Sequence, residues 1–274
     1  MKPIIFLLKG SFLLIALTFL PIRHLNAQEI SIQGGLMKVF SARPGDVIKG
    51  HVILVNPTEE EVVVKVSLKD VQFDCSGGFK LLDDYDLTHG GSQWVSDVES
   101  EKFISAKTKY DYPFTITVPN TKGLQGSFLA VLKVQNPDPK KLNLAKNIVG
   151  LTSKTNYVIG ILVHVDKTPV FDLNFENMDL TYHTLQDNQI KKTLSITLSN
   201  TTNFAYKTTL NMEVYNTAGD LVLEKKSLNK HIYADSCRDI YLDLSVLASG
   251  NYQCVLTAEA DGEFVGTNLS LTIK

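Results

Sequence analysis

After residue 27 the chain is dominated by short segments rich in β-branched and aromatic residues, with almost no helical periodicity. Turn-forming sequences such as Arg43-Pro44-Gly45-Asp46 and Asn56-Pro57-Thr58 separate these segments. Proline, glycine and asparagine favour turns because of their backbone preferences, and short alternating runs between turns are typical of strands. The pattern therefore predicts an all-β protein.

Fourteen segments are predicted to be strands, seven in each half of the chain. In the first half they are Met37–Ser41, Ile48–Val55, Glu61–Leu68, Trp94–Val95, Tyr112–Val118, Ser127–Val134 and Tyr157–Val165. In the second half they are Val170–Phe175, Leu194–Ser199, Thr208–Tyr215, Leu221–Lys225, Ile240–Leu244, Tyr252–Ala258 and Asn268–Ile273. About seven strands in a domain of this size is the number found in an immunoglobulin-like β-sandwich.

The chain is therefore expected to hold two tandem immunoglobulin-like domains, at 28–166 and 169–274. Proline interrupts strand pairing, and Asp166-Lys167-Thr168-Pro169 is the predicted boundary. Such a short linker restricts how the domains can be oriented. Thr217-Ala218-Gly219-Asp220 and Asp261-Gly262 are predicted hairpin turns, and Leu247–Gly250 suggests another.

Residues 1–27 have the pattern of a secretory signal peptide. Lys2 and Lys9 precede an apolar run, and Leu25-Asn26-Ala27 places a small residue before Gln28, the expected new N-terminus. A retained anchor helix is the alternative, but the 13 uncharged residues between Lys9 and Arg23 are fewer than the ~20 that span a bilayer. No membrane span is expected in the mature chain, which is predicted to be periplasmic or extracellular.

The net charge limits which partners the protein can bind, and the number of cysteines limits which disulfides it can form. Without the three basic residues of the signal, 24 of the 27 Lys and Arg face 29 Asp and Glu, a net charge of −5. This argues against nucleic acid as a partner, because no basic stripe is available for phosphates. Cys75, Cys237 and Cys254 allow one disulfide in an oxidising compartment. A Cys237–Cys254 bridge is disfavoured by the expected register, and buried unpaired cysteines are the favoured interpretation.

The segment Tyr157–Val165 departs from simple alternation, because both of its faces are apolar. A loop or the neighbouring domain can cover the second face, which is the favoured interpretation because proteins usually hide such surfaces. Alternatively, a partner strand docks there by β-augmentation. In that case the predicted partner-binding residues are Val158, Gly160, Leu162 and His164.

The first domain resembles a bacterial family of exported Ig-like domains. Three motifs carry the resemblance: the Pro44-Gly45 turn followed by a strand that ends in Asn56, the hairpin DVQFDCSGGFKLLD, and the single Trp94 followed by YPFTITVPNTKGLQGSFLAVLKV. This order is similar to that of the first domain of Gram-positive WxL-interacting proteins over residues 36–165, and more distantly to periplasmic pilus chaperones. The resemblance implies a second Ig-like domain.

The sequence departs from both families. The WxL-interacting proteins end in a transmembrane helix and a basic tail, whereas this sequence ends at Lys274 after an apparent strand. Pilus chaperones grip a subunit carboxylate with a basic residue on the first strand and another on the last strand of domain one. Here the first-strand base is Lys38, while Lys154 precedes the last strand and Lys167 lies in the linker. Only half of that grip is present.

No motif indicates catalysis, a cofactor or a metal, and the protein is expected not to be an enzyme. The mature histidines lack metal-ligand spacing, and they are His51, His89, His164, His183 and His231. The acidic run Asp83–Asp86 lacks the spacing of a Ca²⁺ loop. Cys75 has no basic neighbour to activate it, which disfavours a role as nucleophile with His89. Trp94 is interpreted as a core residue.

The sequence therefore predicts a non-enzymatic, exported cell-envelope protein. The first hypothesis is a structural or adhesive component that binds an envelope protein, a secreted protein or a glycan through its Ig-like surfaces. The alternative is a periplasmic, chaperone-like protein that holds a secreted or pilus-type subunit by β-strand donation.

Overall fold

The fold of the protein is taken from a computed structural model, in which residues 30–83, 87–136, 155–166 and 171–274 are described. The predicted signal peptide and the linker at 167–170 lie outside these residues, so the signal and the domain bounds stay predictions. Within these ranges, strands make up nearly all of the regular structure, with one short 3₁₀ turn at Ser92–Trp94. No helix in the described part of the chain is long and apolar enough to cross a membrane.

Eighteen strands are present in the described residues. In the first half they are β1 (Ser31–Gln33), β2 (Met37–Ala42), β3 (Val47–Val55), β4 (Val62–Phe73), β5 (Phe79–Leu82), β6 (Val95–Ser96), β7 (Glu101–Ile104), β8 (Lys109–Thr117), β9 (Gly126–Gln135) and β10 (Asn156–Val165). In the second half they are β11 (Asn174–Thr184), β12 (Ile190–Asn200), β13 (Tyr206–Tyr215), β14 (Leu221–Lys226), β15 (Lys230–Ile232), β16 (Ser236–Asp243), β17 (Gly250–Ala260) and β18 (Glu263–Ile273).

The strands form two sandwiches of two sheets each, which confirms the predicted immunoglobulin-like fold. In the first half, a sheet of order β1-β3-β8-β6 faces a sheet of order β2-β10-β9-β4-β5, in which β7 also pairs with β4. In the second half, β11-β12-β16 faces β14-β13-β17-β18, in which β15 also pairs with β13. Each sandwich encloses its own apolar core with residues from both of its sheets.

The first strand of domain one changes sheets. β1 pairs antiparallel with β3, whereas β2 pairs in parallel with β10. Gly34 and Gly35 join the two strands with φ values of 87° and 83°. Glycine adopts positive φ without the steric cost that a Cβ imposes, so this pair permits the abrupt change in direction. As a result, β2 forms one edge of its sheet and lies beside the last strand of the domain.

Both domains contain a buried asparagine just after or at the end of a core strand. Asn56 follows β3, and its amide nitrogen donates to the carbonyl oxygens of Glu60, Ile104 and Ser105. Its Oδ1 accepts hydrogen bonds from the backbone and hydroxyl groups of Thr58. Asn200 ends β12 and has the same arrangement, with Thr202 as donor. Each asparagine satisfies backbone groups of a loop that the sheets leave without partners.

The hairpin turns differ from the predictions in one case. The turns at 217–220 and 261–262 are confirmed, since they connect β13 to β14 and β17 to β18. Asp261 and Gly262 have φ values of 51° and 85°, as a tight two-residue hairpin requires. The hairpin suggested at Leu247–Gly250 is wrong, because β16 pairs with β12 in one sheet and β17 pairs in the other.

Candidate functional site

β10 carries the predicted partner-binding residues and lies inside its sheet. It pairs with β9 over Asn156–Val165 and with β2 over Gly160–Val165. Ile159, Ile161 and Val163 point into the core and are at most 2% exposed. The opposite face carries Val158, Gly160, Leu162 and His164, in agreement with the two-faced apolar pattern.

Domain two covers part of this second face. Leu162 is only 2% exposed, and it packs with Leu129 of β9 and Ala205 of the loop before β13. Gly160 is also buried, because the side chain of Met37 in β2 crosses directly over it. Val158 and His164 are half-buried. The neighbouring domain thus covers the strand at Leu162, and the role of these four residues in partner binding stays a prediction.

A polar relay joins the domains beside His164. The Ser127 hydroxyl accepts a hydrogen bond from the Ala205 amide at 2.8 Å and lies 2.7 Å from His164 Nδ1. The hydroxyl has one proton and two acceptor lone pairs, so it can bond His164 Nδ1 while it accepts from Ala205, with the direction set by the tautomer of His164. The Ser127 amide also donates to the Asn203 carbonyl at 2.7 Å. The relay therefore ties β9 and β10 to the loop that precedes β13.

Acidification is expected to weaken this junction. Burial lowers the pKa of His164, and burial together with Lys207 and His164 lowers the pKa of His231, which stacks on Tyr233. A histidine whose pKa is lower in the folded state than its unfolded value near 6.5 favours folding less as it becomes protonated. We expect the free energy of unfolding to fall as the pH drops below about 6.5, measured by urea denaturation between pH 7.5 and 5.

His164→Gln should reduce this pH dependence, and His183→Gln, on the exposed face of β11, is the matched control. The pKa values of Asp74 and Asp243 are lowered by hydrogen bonds from the Ser76 and Ser245 hydroxyls. The stability that these two carboxylates contribute is therefore lost only at more acidic pH. They do not affect the comparison of wild type with His164→Gln between pH 7.5 and 5. An identical pH profile for wild type and His164→Gln would contradict the assignment.

The cysteines depart from the favoured expectation that they are unpaired. Cys75, in the turn after β4, forms a disulfide with Cys237 in β16, and their Cα atoms are 4.7 Å apart. The bridge joins the two domains across a sequence separation of 162. Cys254 is free and buried in the core of domain two, and burial raises the pKa of its thiol to about 11. The disulfide also removes Cys75 from consideration as a nucleophile.

Contacts between the domains cluster around the disulfide. The rings of Phe73 and Tyr233 are stacked with centroids 4.3 Å apart and an interplanar angle of 9°. The Asp239 amide donates to the Cys75 carbonyl at 2.6 Å. Together with the relay at Ser127, these contacts fix the end of β4 and the outer face of β9 and β10 against domain two.

A cavity of about 230 Å³ lies at this junction. Val71, Phe73, Leu129, Leu162 and Tyr233 are among its apolar lining residues. At its polar side, His89 Nε2 lies 3.1 Å from Asp235 Oδ2 in the other domain. The junction therefore packs closely around Leu162 but leaves a partly open space beside it.

Other residues considered from the sequence have structural contacts. Trp94 packs on Phe128 at a ring distance of 4.2 Å and lies against the core, as expected. Lys38 Nζ donates to the Gly34 carbonyl, while Lys154 and Lys167 lie outside the described residues. Asp83 pairs with Lys69, and the rest of the acidic run is not described. Within the described ranges, no group of three or more His, Cys, Asp or Glu residues is placed to hold a metal ion.

The outer edge of β2 is available for pairing. The carbonyls of Leu36 and Ala42 accept hydrogen bonds from the amides of Gly160 and Asp166. The even-numbered residues of β2 therefore point their backbone N–H and C=O groups toward β10. Backbone direction alternates along a strand, and the odd-numbered residues therefore direct theirs away from the sheet. In the described part of the chain no strand pairs with that side. The side chain of Val39 is 52% exposed there.

Comparisons with known proteins give structural neighbours only. No family model and no curated protein matches the chain, so the resemblance to WxL-interacting proteins stays a prediction. Solved structures of similar arrangement include the class 5 fimbriae chaperone CfaA, with 13% identity, 89% of this chain and 100% of that chain covered, and a TM-score of 0.46.

Another is a chain from a chaperone–tip adhesin complex of CFA/I fimbriae, with 11% identity, coverage of 89% and 98%, and a TM-score of 0.46. A third comes from the CsuC–CsuE chaperone–tip subunit complex of Acinetobacter baumannii, with 10% identity, coverage of 80% and 94%, and a TM-score of 0.43. The likeness extends over both domains and transfers no ligand to this chain.

Sequence reasoning missed the residues that join the domains. Cys75, Phe73, Tyr233, Cys237 and Asp239 lie in loops or near strand ends, where alternation gives no information about partners. One signal was present: a chain that is predicted to be exported has a cysteine in a turn of one domain, and two more lie in the other. Considering pairs between domains, instead of only pairs within one domain, would have included the correct bridge.

Proposed function

We propose that this chain is an exported, non-enzymatic protein that holds an extended segment of a secreted or envelope protein as an added strand along the outer edge of β2. The observation that carries the proposal is the row of outward-facing backbone groups at Met37, Val39 and Ser41. An extended peptide can satisfy such groups with main-chain hydrogen bonds, and side chains at the edge then supply specificity.

The side chains of this edge favour pairing. Val39 and the preceding Leu36 are 52% and 49% exposed, and both are apolar. The strand MKVFSA contains no proline, and its single charge, Lys38, lies on the same side of the strand as Phe40, which packs against the core. Natural edge strands are usually protected from association by proline, by β-bulges or by charged side chains, including inward-pointing ones. β2 carries one such device, the inward-pointing Lys38, and no proline, so the outward amides of Val39 and Ser41 remain as donors for a partner strand.

The disulfide supports the proposed compartment. Disulfides persist in oxidising environments such as the periplasm or the cell exterior, and Cys75–Cys237 is consistent with the predicted signal peptide at residues 1–27. Of the two hypotheses from the sequence, we propose the chaperone-like one. Backbone pairing at a sheet edge holds one extended segment of a client protein, as that hypothesis requires. The structural or adhesive hypothesis would instead use side-chain surfaces on the sandwich faces.

Val39→Pro tests the proposal. Proline removes the outward amide of Val39 and leaves the hydrogen bonds between β2 and β10 in place, because those involve the even-numbered residues. Val39→Thr keeps both the amide and the β-branched shape, and serves as the matched control. We expect residues 28–274 carrying Val39→Pro to capture its client from envelope extract at least ~10-fold less than wild type or Val39→Thr, since an edge N–H is lost and the ring is placed against the client strand.

Hydrogen exchange on the captured complex provides the second readout. The amides of Val39 and Ser41 are expected to become protected when the client is bound, while the thermal unfolding temperature of each free variant shows whether it is folded. Undiminished capture by a folded Val39→Pro variant would refute strand addition at β2. If the retained partners were several envelope proteins or glycans, the structural or adhesive function would be favoured instead.

A further inference from the structure

Among the described residues, contacts between the domains cluster around the disulfide. Each domain has a separate core, and a third, smaller cluster of buried apolar residues joins them through Leu129, Leu162 and Ala205. The other contacts described above include one aromatic stack, one histidine–carboxylate contact and a few hydrogen bonds. Interfaces between the domains of one chain resemble transient protein–protein interfaces, so domain motion is expected where no covalent link prevents it.

The disulfide is placed where thiol exchange can reach it. Cys75 and Cys237 are both half-buried, and neither lies in a domain core. Arg238 follows Cys237 directly, and its guanidinium lies over Gly77 in the Cys75 turn, so that a Cβ on Gly77 would collide with it. Exposed disulfides are the ones that exchange readily with free thiols. The partial exposure of this bridge therefore gives a small thiol access to it.

The patch held by the disulfide covers the apolar outer face of β9 and β10. Leu129 and Leu162 are 7% and 2% exposed while domain two is in place. They lie opposite each other in the β9–β10 register, and Val131 and Gly160 continue the same face. Separation of the domains would leave Leu129 and Leu162 without their cover from Ala205 and the Tyr233 loop.

We propose that Cys75–Cys237 is a redox-operated latch that keeps domain two over Leu129 and Leu162 and uncovers this apolar face when it is reduced. A small dithiol reduces it in two steps: one thiolate attacks a sulfur of the bridge to form a mixed disulfide, and the second thiol then displaces the protein sulfur. The dithiol supplies two electrons and two protons, so the products are the Cys75 and Cys237 thiols and the oxidised dithiol. The latch does not depend on strand addition at β2.

Three amides report directly on the interface. Ser127 donates to Asn203, Ala205 donates to Ser127, and Asp239 donates to Cys75, so each hydrogen bond crosses between the domains. We expect residues 28–274 to lose protection from hydrogen exchange at these amides at least ~10-fold when dithiothreitol is added after folding. Amides inside β13 should stay protected, because that strand lies within the core of domain two. Small-angle scattering should show a larger radius of gyration after reduction.

Variants separate the latch from a general effect of reduction. Cys254→Ser removes the free thiol and should behave as wild type, whereas Cys75→Ser/Cys237→Ser should resemble the reduced protein without added dithiol. If the double variant does not fold, reduction of folded wild-type protein still provides the test. Full protection of the three amides and an unchanged radius of gyration in protein with three titratable thiols would overturn the proposal. So would three titratable thiols in the untreated protein.

Discussion

Replacing Asn200 by alanine is expected to lower the free energy of unfolding by about 3 kcal/mol. The Asn200 amide nitrogen donates to the carbonyls of Phe204 and Tyr233 at 2.7 and 2.8 Å and to that of Ile232 at 3.3 Å. Alanine leaves these carbonyls without a donor in a site where residue 200 is only 1% exposed. Unsatisfied buried polar groups each cost about 1–3 kcal/mol, and water cannot reach all of them.

The same substitution at Asn56 should have a comparable effect, because that residue is 0% exposed and has an equivalent set of partners. Asn216→Ala is the matched control. Asn216 also accepts two backbone hydrogen bonds, from Ala218 and Asp220, but it lies in an accessible hairpin turn. Its loss should cost less than ~1 kcal/mol, since water can replace the side chain. Equal destabilisation by Asn200→Ala and Asn216→Ala in urea denaturation would show that burial of the network is not the cause.

Leu162→Asp is expected to destabilise the protein by more than ~3 kcal/mol. The carboxylate would lie between the apolar side chains of Leu129 and Ala205. Burying an unpaired charge is so unfavourable that the interface should loosen around residue 162, although the Cys75–Cys237 bridge keeps the domains joined. The measurement is urea denaturation, with small-angle scattering of the folded variant after reduction of the bridge to detect separated domains.

Val158→Asp is the control for this variant because it lies on the same face of the same strand, four residues earlier, and is half-buried. A cost below ~1 kcal/mol is expected there, since the carboxylate can remain hydrated. The pair also tests the predicted partner-binding face. If Leu162→Asp retained wild-type stability and domain arrangement but lost its partner, Leu162 would be a binding residue whose present burial is incidental.

Local pattern was sufficient for strands that have a regular apolar face towards the core. Ile48–Val55 and Tyr157–Val165 were predicted within a residue of β3 and β10, because their core-facing positions are apolar and turns limit both. The strand predicted at Val170–Phe175 was placed too early, since β11 covers Asn174–Thr184. β11 is an edge strand with mostly exposed residues, so it buries too little apolar surface to produce an alternating pattern. For the same reason, the start of β18 at Glu263 was missed.

The pairing of the domains was beyond local pattern. The two apolar faces of β10 correctly indicated that the strand is covered on both sides, but not by what. The cover at Leu162 comes from Ala205, whose small side chain has no distinctive signal, and from a loop near Tyr233. Cys75 and Cys237 meet only because β4 ends and β16 begins at the same junction. The cover at Leu162 and the disulfide both depend on how the two folded sandwiches pack against each other. The spacing of residues along the sequence does not determine that packing.

The disulfide also limits how far the chain can be stretched. Tension applied to residues near 30 and to Lys274 follows the shortest covalent path, which runs from β4 through Cys75 and Cys237 into β16. The segment between the cysteines, which includes β5 to β15, lies outside that path. It cannot be drawn out however completely the strands at the ends are pulled away. When the disulfide is intact, a pulling force can therefore extend only the segments before Cys75 and after Cys237. The longer segment between the two cysteines can be extended only after the sulfur–sulfur bond is broken.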